Sequence, residues 1–296
     1  MHHEPETYVP LTAAARQAAG LLEIPDEKAA HRVLSACLRY IADLEERDSF
    51  GLRAADKTRL ARVDSFLRPY ELSANLKRSL SASLDHLHAL SRLFTKGHTQ
   101  HTYTPFSILR GSLEASAQGL YGLGSRNTRT MIERSLHLEY SNVKNSHAFR
   151  RAFAEINPED RRLSNLEARA EAANIPAKSL KEHLPYSVII GTVDAEHGAD
   201  GTITAIWKLT SGIAHNKSWA LVALTDRQEI EGTRDELGAE FYVTSNTRWL
   251  ATCMLTACIL HEMLVITHYR CCLGIGYRRE ALQGEALLTV MASQGA

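Results

Sequence analysis

Apolar residues recur three and four positions apart along most of this chain, the spacing of one face of an α-helix. Asp26 stands where a helix N-cap is favoured, and behind it Val33, Leu34, Cys37, Leu38, Ile41 and Leu44 share one face. The polar residues 47–49 and Gly51 end that helix. A shorter helix is predicted over 54–67, ahead of Pro69. The next carries Leu72, Leu76, Leu80, Leu84, Leu87 and Leu90 as a continuous stripe, and Gly97 closes it. The polar residues 98–104 read as a loop. Pro105 then opens a helix at its favoured first position, carrying Ile108, Leu109, Leu113, Ala117, Leu120 and Tyr121 and stopping at Gly122 and Gly124. Residues 129–140 and 146–155 read as two further helices and 158–173 as a charged one. Pro176 and Pro185 bound a linker with a short helix between them, and 202–212 forms a helix.

The pattern changes between Arg227 and Thr244. Residues 228–231 and 240–243 read as two short strands around a Gly-bearing turn, a small hairpin on a helical body. Trp249 then opens a long apolar helix reaching Tyr269, interrupted only by His261, Glu262 and His268. A membrane span needs about 20 apolar residues with few charges. Here the uncharged run stops at Leu260, and Arg248 and Arg270 bracket the segment, so it reads as the buried central helix of a bundle. The expected fold is therefore all-α: an N-terminal helical region over 1–98, a helical bundle with a β-hairpin insertion over 99–276, and a C-terminal tail over 277–296.

Composition narrows the function classes. The 296 residues suffice for one large or two small domains. Lys+Arg and Asp+Glu both count 34, a balance that argues against gripping long nucleic acid by bulk charge but leaves room for a local basic patch. The five cysteines are odd in number and lack CxxC spacing, so neither a disulfide scaffold nor a cysteine-built zinc site is expected. Residues 1–5 show no apolar run behind a basic start, and a reducing cytoplasm is the expected compartment.

The segment from Trp207 to Trp219 carries the chemistry. Its helix is expected to end near Gly212, and His215 follows among polar side chains, seven positions after Lys208. A histidine can take and return a proton near neutrality, and a cation can stabilise the oxygens of a phosphate in transit. Lys208 and His215 are thus a minimal kit for metal-independent RNA cleavage, in which the 2′-hydroxyl attacks its own phosphate. Ser211, Asn216 and Lys217 are candidate substrate contacts. The alternative is a histidine hydrogen-bonded at an interface beside Trp219. Arg110 and Glu114 lie one helical turn apart and can pair, either on the surface or inside a polar pocket shared with His215.

Other clusters carry less. Arg126, Arg129, Arg134, Lys144, Arg150 and Arg151 offer nucleic-acid contacts or, with Glu133, Glu139 and Glu155 interleaved, a solvated helix face. His261 and His268 share a helix face but lack a third ligand, so no metal is expected. Gly122 and Gly124 follow no strand and do not form a dinucleotide loop.

A cationic or polar residue, four to six residues and then a histidine, in a late helix of an all-α protein, is the signature of the HEPN ribonuclease superfamily. Lys208-x6-His215 resembles it, with lysine in place of arginine. The helix Leu109-Arg110-Gly111-Ser112-Leu113-Glu114, with Leu120-Tyr121 after it, and the turn Thr210-Ser211-Gly212-Ile213-Ala214-His215 are similar to uncharacterised bacterial HEPN-like families. The resemblance covers roughly residues 105–273. It implies a cytoplasmic homodimeric endoribonuclease of toxin or anti-phage kind that needs no cofactor. In that reading His215 is the acid or base, Lys208 stabilises the oxyanion, and Arg110 and Glu114 orient the site. The rival expectations are a non-catalytic module binding a nucleotide, RNA or a partner protein, and a purely structural adaptor.

Overall fold

The computed structural model describes residues 24–45, 53–97, 101–124, 127–153 and 160–274. Among these residues lie eleven helices and one two-stranded antiparallel sheet, so the fold is an all-α bundle with a small hairpin. The expected tail over 277–296, Arg126, the helix stop at 47–51 and the loop residues 98–100 lie outside the described residues.

Helix α1 (Glu27–Glu45) begins where the Ala29 backbone N–H donates to Asp26 Oδ1 at 2.7 Å. It buries Val33, Cys37, Ile41 and Leu44, the face its periodicity selects. Thr58 caps α2 (Arg59–Leu67) by accepting from the Ala61 N–H at 3.1 Å. The leucine stripe of α3 (Leu72–Thr95) is buried along its whole length, and α3 packs along α4 (Thr104–Leu123). Each such leucine contributes roughly 1.5–3 kcal/mol by leaving water.

The last helix, α11 (Thr247–Leu273), runs through the core against α1, α3 and α4. It is long and apolar enough to cross a membrane by composition, but 72% of its most apolar stretch is buried inside the protein. Asn246 caps it by accepting from the Trp249 N–H at 3.0 Å, and Gly274 ends it with φ +72°. Where α3, α4 and α11 meet, Ser83 bonds Ser112 (2.9 Å), Ser116 (2.6 Å) and His261 Nδ1 (3.0 Å), all buried. Small polar side chains let the helices approach while satisfying one another. At Gly119 the approach is tight enough that a Cβ would sit 2.7 Å from Leu264.

The middle of the chain departs from expectation in four places. Helix α5 (Thr128–Ala152) is continuous, where the polar residues 141–145 suggested a break. That stretch contains neither Gly nor Pro, and Val143 within it is 1% exposed, so packing holds the helix through a low-propensity run. Beyond α6 (Arg162–Ala172) and the short α7 (Ala177–Lys181) lies α8 (Tyr186–His197), a helix that the sequence pattern after Pro185 does not announce. Helix α9 (Thr202–Ala214) passes through Gly212 rather than stopping there, and a further helix, α10 (Ser218–Leu224), follows the turn. Gly212 is an approach site: a Cβ on it would meet Ala220 Cβ at 2.6 Å and the Trp219 ring at 2.9 Å. Strands β1 (Thr225–Glu229) and β2 (Phe241–Ser245) pair from Thr225 opposite Ser245 to Glu229 opposite Phe241, a few residues away from the expected positions.

Candidate active site

Three helices bring the site together. Asp194, buried near the end of α8, accepts from the Gly201 N–H (2.9 Å) and the Thr204 N–H (2.7 Å), which fixes the start of α9. The first turn of a helix leaves its backbone N–H groups without partners, and the Asp194 carboxylate supplies one from the preceding element. Helix α9 then presents Trp207 and, one turn later, Ser211, and it ends on His215 as its C-cap. Asn216 takes a positive φ of 53° and turns the chain into α10. Across from α9, the middle of α4 presents Arg110, Glu114 and Gln118 at intervals of one turn.

The polar groups form a chain. Glu114 Oε1 accepts from Arg110 Nε at 2.8 Å and from Trp207 Nε1 at 2.9 Å. Arg110 Nη1 lies 3.0 Å from His215 Nε2. A guanidinium can only donate, so Nε2 is the acceptor and the ring proton sits on Nδ1. Arg110 and Glu114 are sheltered, with side chains 23% and 16% exposed, while His215 is open to solvent. Tyr186, at the start of α8, donates its hydroxyl to Gln118 Oε1 at 3.0 Å. Partial desolvation and then the nearby Glu114 carboxylate push its phenol above the ordinary range, with Arg110 opposing, although the side chain keeps 37% of its surface exposed.

These groups open into a cavity of about 630 Å³ lined by Arg110, Trp207, Ser211, His215 and Tyr186 on one side. The opposite wall comes from α3 and α5, with Arg78, Ser141, Lys144 and Asn145 among its residues. Arg78 is held by Asn75 and by Glu139 at 3.8 Å. The lining mixes cations, amides and hydroxyls with Glu182 and the apolar Leu138, Leu180, Leu184 and Ile189, and its donors suit a phosphate-bearing ligand.

The sequence-predicted residues therefore divide. Arg110, Ser211 and His215 converge on the cavity, and Glu114 stands behind its wall, bonded to Arg110 and Trp207. Lys208 does not: it is exposed on α9, does not line the cavity, and no hydrogen bond or ion pair joins it to His215. A residue next to Trp207 on a helix points about 100° away from it, and Trp207 is turned toward Glu114. Asn216 and Lys217 are exposed in the turn and also lie outside the cavity lining. The cation beside His215 comes from another helix, 105 residues earlier in the chain. Sequence reasoning missed Tyr186, Gln118 and Asp194. The Tyr186 position directly after Pro185, a favoured helix entry, was the available signal.

Arg134, His261 and His268 are structural. Arg134 grips Glu196 through two bonds (2.6 and 3.0 Å), donates to the Tyr121 carbonyl and stacks 4.7 Å over the Tyr121 ring. It ties α5 to α8. His261 is fully buried against Ser83, and His268 lies 3.4 Å from Cys272 Sγ. Among the described residues no three His, Cys, Asp or Glu side chains gather as a metal site.

No protein-family model matches this chain, and no curated protein or solved structure is significantly similar to it.

Proposed function

We propose that this chain is a HEPN-like, metal-independent endoribonuclease in which Arg110, not Lys208, is the cation that serves His215. The observation that carries the reading is the 3.0 Å contact between Arg110 Nη1 and His215 Nε2 at the mouth of a polar cavity. In the resting protein Arg110 occupies the imidazole lone pair. An RNA phosphate entering the cavity offers the guanidinium a better acceptor. Glu114 keeps hold of Nε, Nη1 turns to the phosphate, and His215 Nε2 becomes free to accept a proton. The 2′-hydroxyl then attacks the adjacent phosphorus and its proton passes to Nε2; the phosphorus–5′-oxygen bond breaks, the 5′-oxygen takes a proton from water, and the His215 imidazolium returns its proton to the hydroxide so formed. The products end in a 2′,3′-cyclic phosphate and a 5′-hydroxyl. Arg110 stabilises the charge that builds on the phosphoryl oxygens, an effect that typically contributes about 10²–10³ in rate.

With Lys208 set aside, the resemblance of the helix around Arg110 and of the turn from Thr210 to His215 supports the wider reading of a cytoplasmic, homodimeric toxin or anti-phage effector. Overexpression of the wild type and of His215→Ala tests it. Growth arrest with fragmented RNA, abolished by the substitution, is the expected result; intact RNA in both cultures counts against a nuclease.

A second reading, a non-catalytic module that binds RNA, a nucleotide or a partner protein, is favoured by the placement of Lys208 outside the cavity and the engagement of Nε2 by Arg110. It expects salt-dependent binding of RNA or mononucleotides without cleavage. Nuclease activity that disappears with His215→Ala removes it.

A further inference from the structure

The α5 wall of the cavity does not end at the cavity. Leu138 and Asn142 line it, and eleven positions on from them, about three turns and only about 20° round, stand Phe149 and the C-cap residue Phe153. Eleven residues advance about 16 Å along the helix. Both rings are open to solvent, 64% and 65% exposed, and they contact each other with centroids 4.9 Å apart at 47°. Large aromatic side chains are rarely left so exposed without a partner.

Along the helix from Lys144 to Phe153 the fixed charge has one sign, and Glu155 follows two residues on. From Lys144 to Phe153 the chain reads Lys-Asn-Ser-His-Ala-Phe-Arg-Arg-Ala-Phe, three cations and no carboxylate, and Lys144, Arg150 and Arg151 are exposed. The one carboxylate seen to reach this stretch among the described residues, Asp160 on His147 at 3.0 Å, is already neutralised by Arg162. Two arginines in the last turn of α5 suit the helix dipole, which accounts for their sign but not for the two phenylalanines beside them. Exposed aromatics among basic side chains form the platform on which single-stranded nucleic acid bases stack while the backbone is held electrostatically.

We propose that the C-terminal half of α5 is a single-stranded RNA track: Phe149 and Phe153 stack two unpaired bases, and Lys144, Arg150 and Arg151 hold the phosphates leading into the cavity. The proposal rests on RNA being the ligand of the Arg110–His215 site and extends that site to the flanking nucleotides. The two rings touch, so no base fits between them and each base stacks on an outer face. A duplex, whose bases are already stacked, gains nothing from the rings.

The test uses a labelled oligouridylate of roughly twelve nucleotides, within the length range of a single-strand site, and its duplex with the complementary strand. Binding is measured by fluorescence anisotropy in a His215→Ala background. Phe149→Ala and Phe153→Ala are each expected to weaken single-strand binding about 5- to 150-fold, equivalent to roughly 1–3 kcal/mol of stacking at about 1.4 kcal/mol per decade. Phe→Trp at both positions restores it. Arg150→Gln with Arg151→Gln makes the logarithmic salt slope shallower by about 1.4, at about 0.7 for each phosphate that a cation no longer neutralises. With His215 intact, the phenylalanine variants cleave a dinucleoside phosphate at the wild-type rate, because it is too short to reach the rings. Unchanged oligouridylate affinity in the double alanine variant overturns the track while leaving the RNA site standing. So does loss of a dimer, seen by sedimentation, with RNA affinity unchanged, which assigns the rings to a protein interface. Failure of the protein with both phenylalanines intact to bind oligouridylate, together with no cleavage of the dinucleoside phosphate, overturns both the track and the RNA site.

Discussion

Glu114 is the hinge of the proposed site, and removing it gives the sharpest prediction. One carboxylate oxygen accepts from both Arg110 Nε (2.8 Å) and Trp207 Nε1 (2.9 Å), so Glu114→Ala breaks one hydrogen bond within α4 and one from α4 to α9. The charge-assisted bond to the guanidinium is worth roughly 1.5–3 kcal/mol, and the indole N–H left without an acceptor costs about 1–3 kcal/mol. Both side chains of the ion pair keep some water contact, at 23% and 16% exposure, which places the expected loss at about 3 kcal/mol rather than at the sum. At roughly 2.1 cal/mol/K per residue, this chain's unfolding entropy near its midpoint is about 0.6 kcal/mol/K, so Tm falls by about 5 °C. Glu114→Gln retains an oxygen for the indole but loses the charge, and falls by about half as much. Calorimetry reads the stability. Nitrogen NMR of the imidazole reads the site: with Arg110 released, His215 shifts away from the Nδ1–H tautomer. A Tm within a degree of wild type and an unchanged His215 tautomer would show that Glu114 organises nothing, and the site account fails with it.

Further outcomes follow from packing and titration. Asp194→Ala leaves the first turn of α9 uncapped and is expected to destabilise by about 1–2 kcal/mol, with Trp207 fluorescence reporting a loosened α9; wild-type urea midpoint and emission contradict this. Gly212→Ala drives a methyl into Ala220 and Trp219 and costs about 1–3 kcal/mol, measured by thermal melting, whereas a merely exposed helix end would gain stability from alanine. His261 is buried, and burial, with His88 nearby, lowers its pKa to about 4 from the ordinary 6.5. The unfolded chain therefore binds a proton that the folded chain refuses. Stability from this group is complete above pH 6.5 and declines as pH falls toward 4, by about 3 kcal/mol in all. His261→Asn removes that slope, and an unaltered pH profile in the variant contradicts it.

Much of the fold was legible because the apolar faces of α1, α3, α4 and α11 are long and regular, and burial follows them closely. The misreadings have physical causes. Residues 141–145 look like a break by propensity, but the buried Val143 carries α5 across them. Gly212 looks like a helix stop, but its role is to admit Trp219 and Ala220. In the candidate site, the spacing of Arg110 and Glu114 announced their pairing, and a polar pocket shared with His215 was one of the two expectations for it. What linear spacing does not encode is which cation reaches the imidazole. Lys208 is close in sequence and turned away, whereas Arg110 is distant in sequence and adjacent in space.

The central claim is that Arg110 and His215 act together on an RNA phosphate. Cleavage of a single-stranded RNA by purified protein in the presence of EDTA tests it, with wild type, His215→Ala, Arg110→Ala and Lys208→Ala side by side. The account predicts 2′,3′-cyclic phosphate products from the wild type, a rate reduced at least about 10²-fold with either His215→Ala or Arg110→Ala, and near-normal cleavage by Lys208→Ala. An inert wild type, or activity that survives Arg110→Ala but not Lys208→Ala, contradicts it.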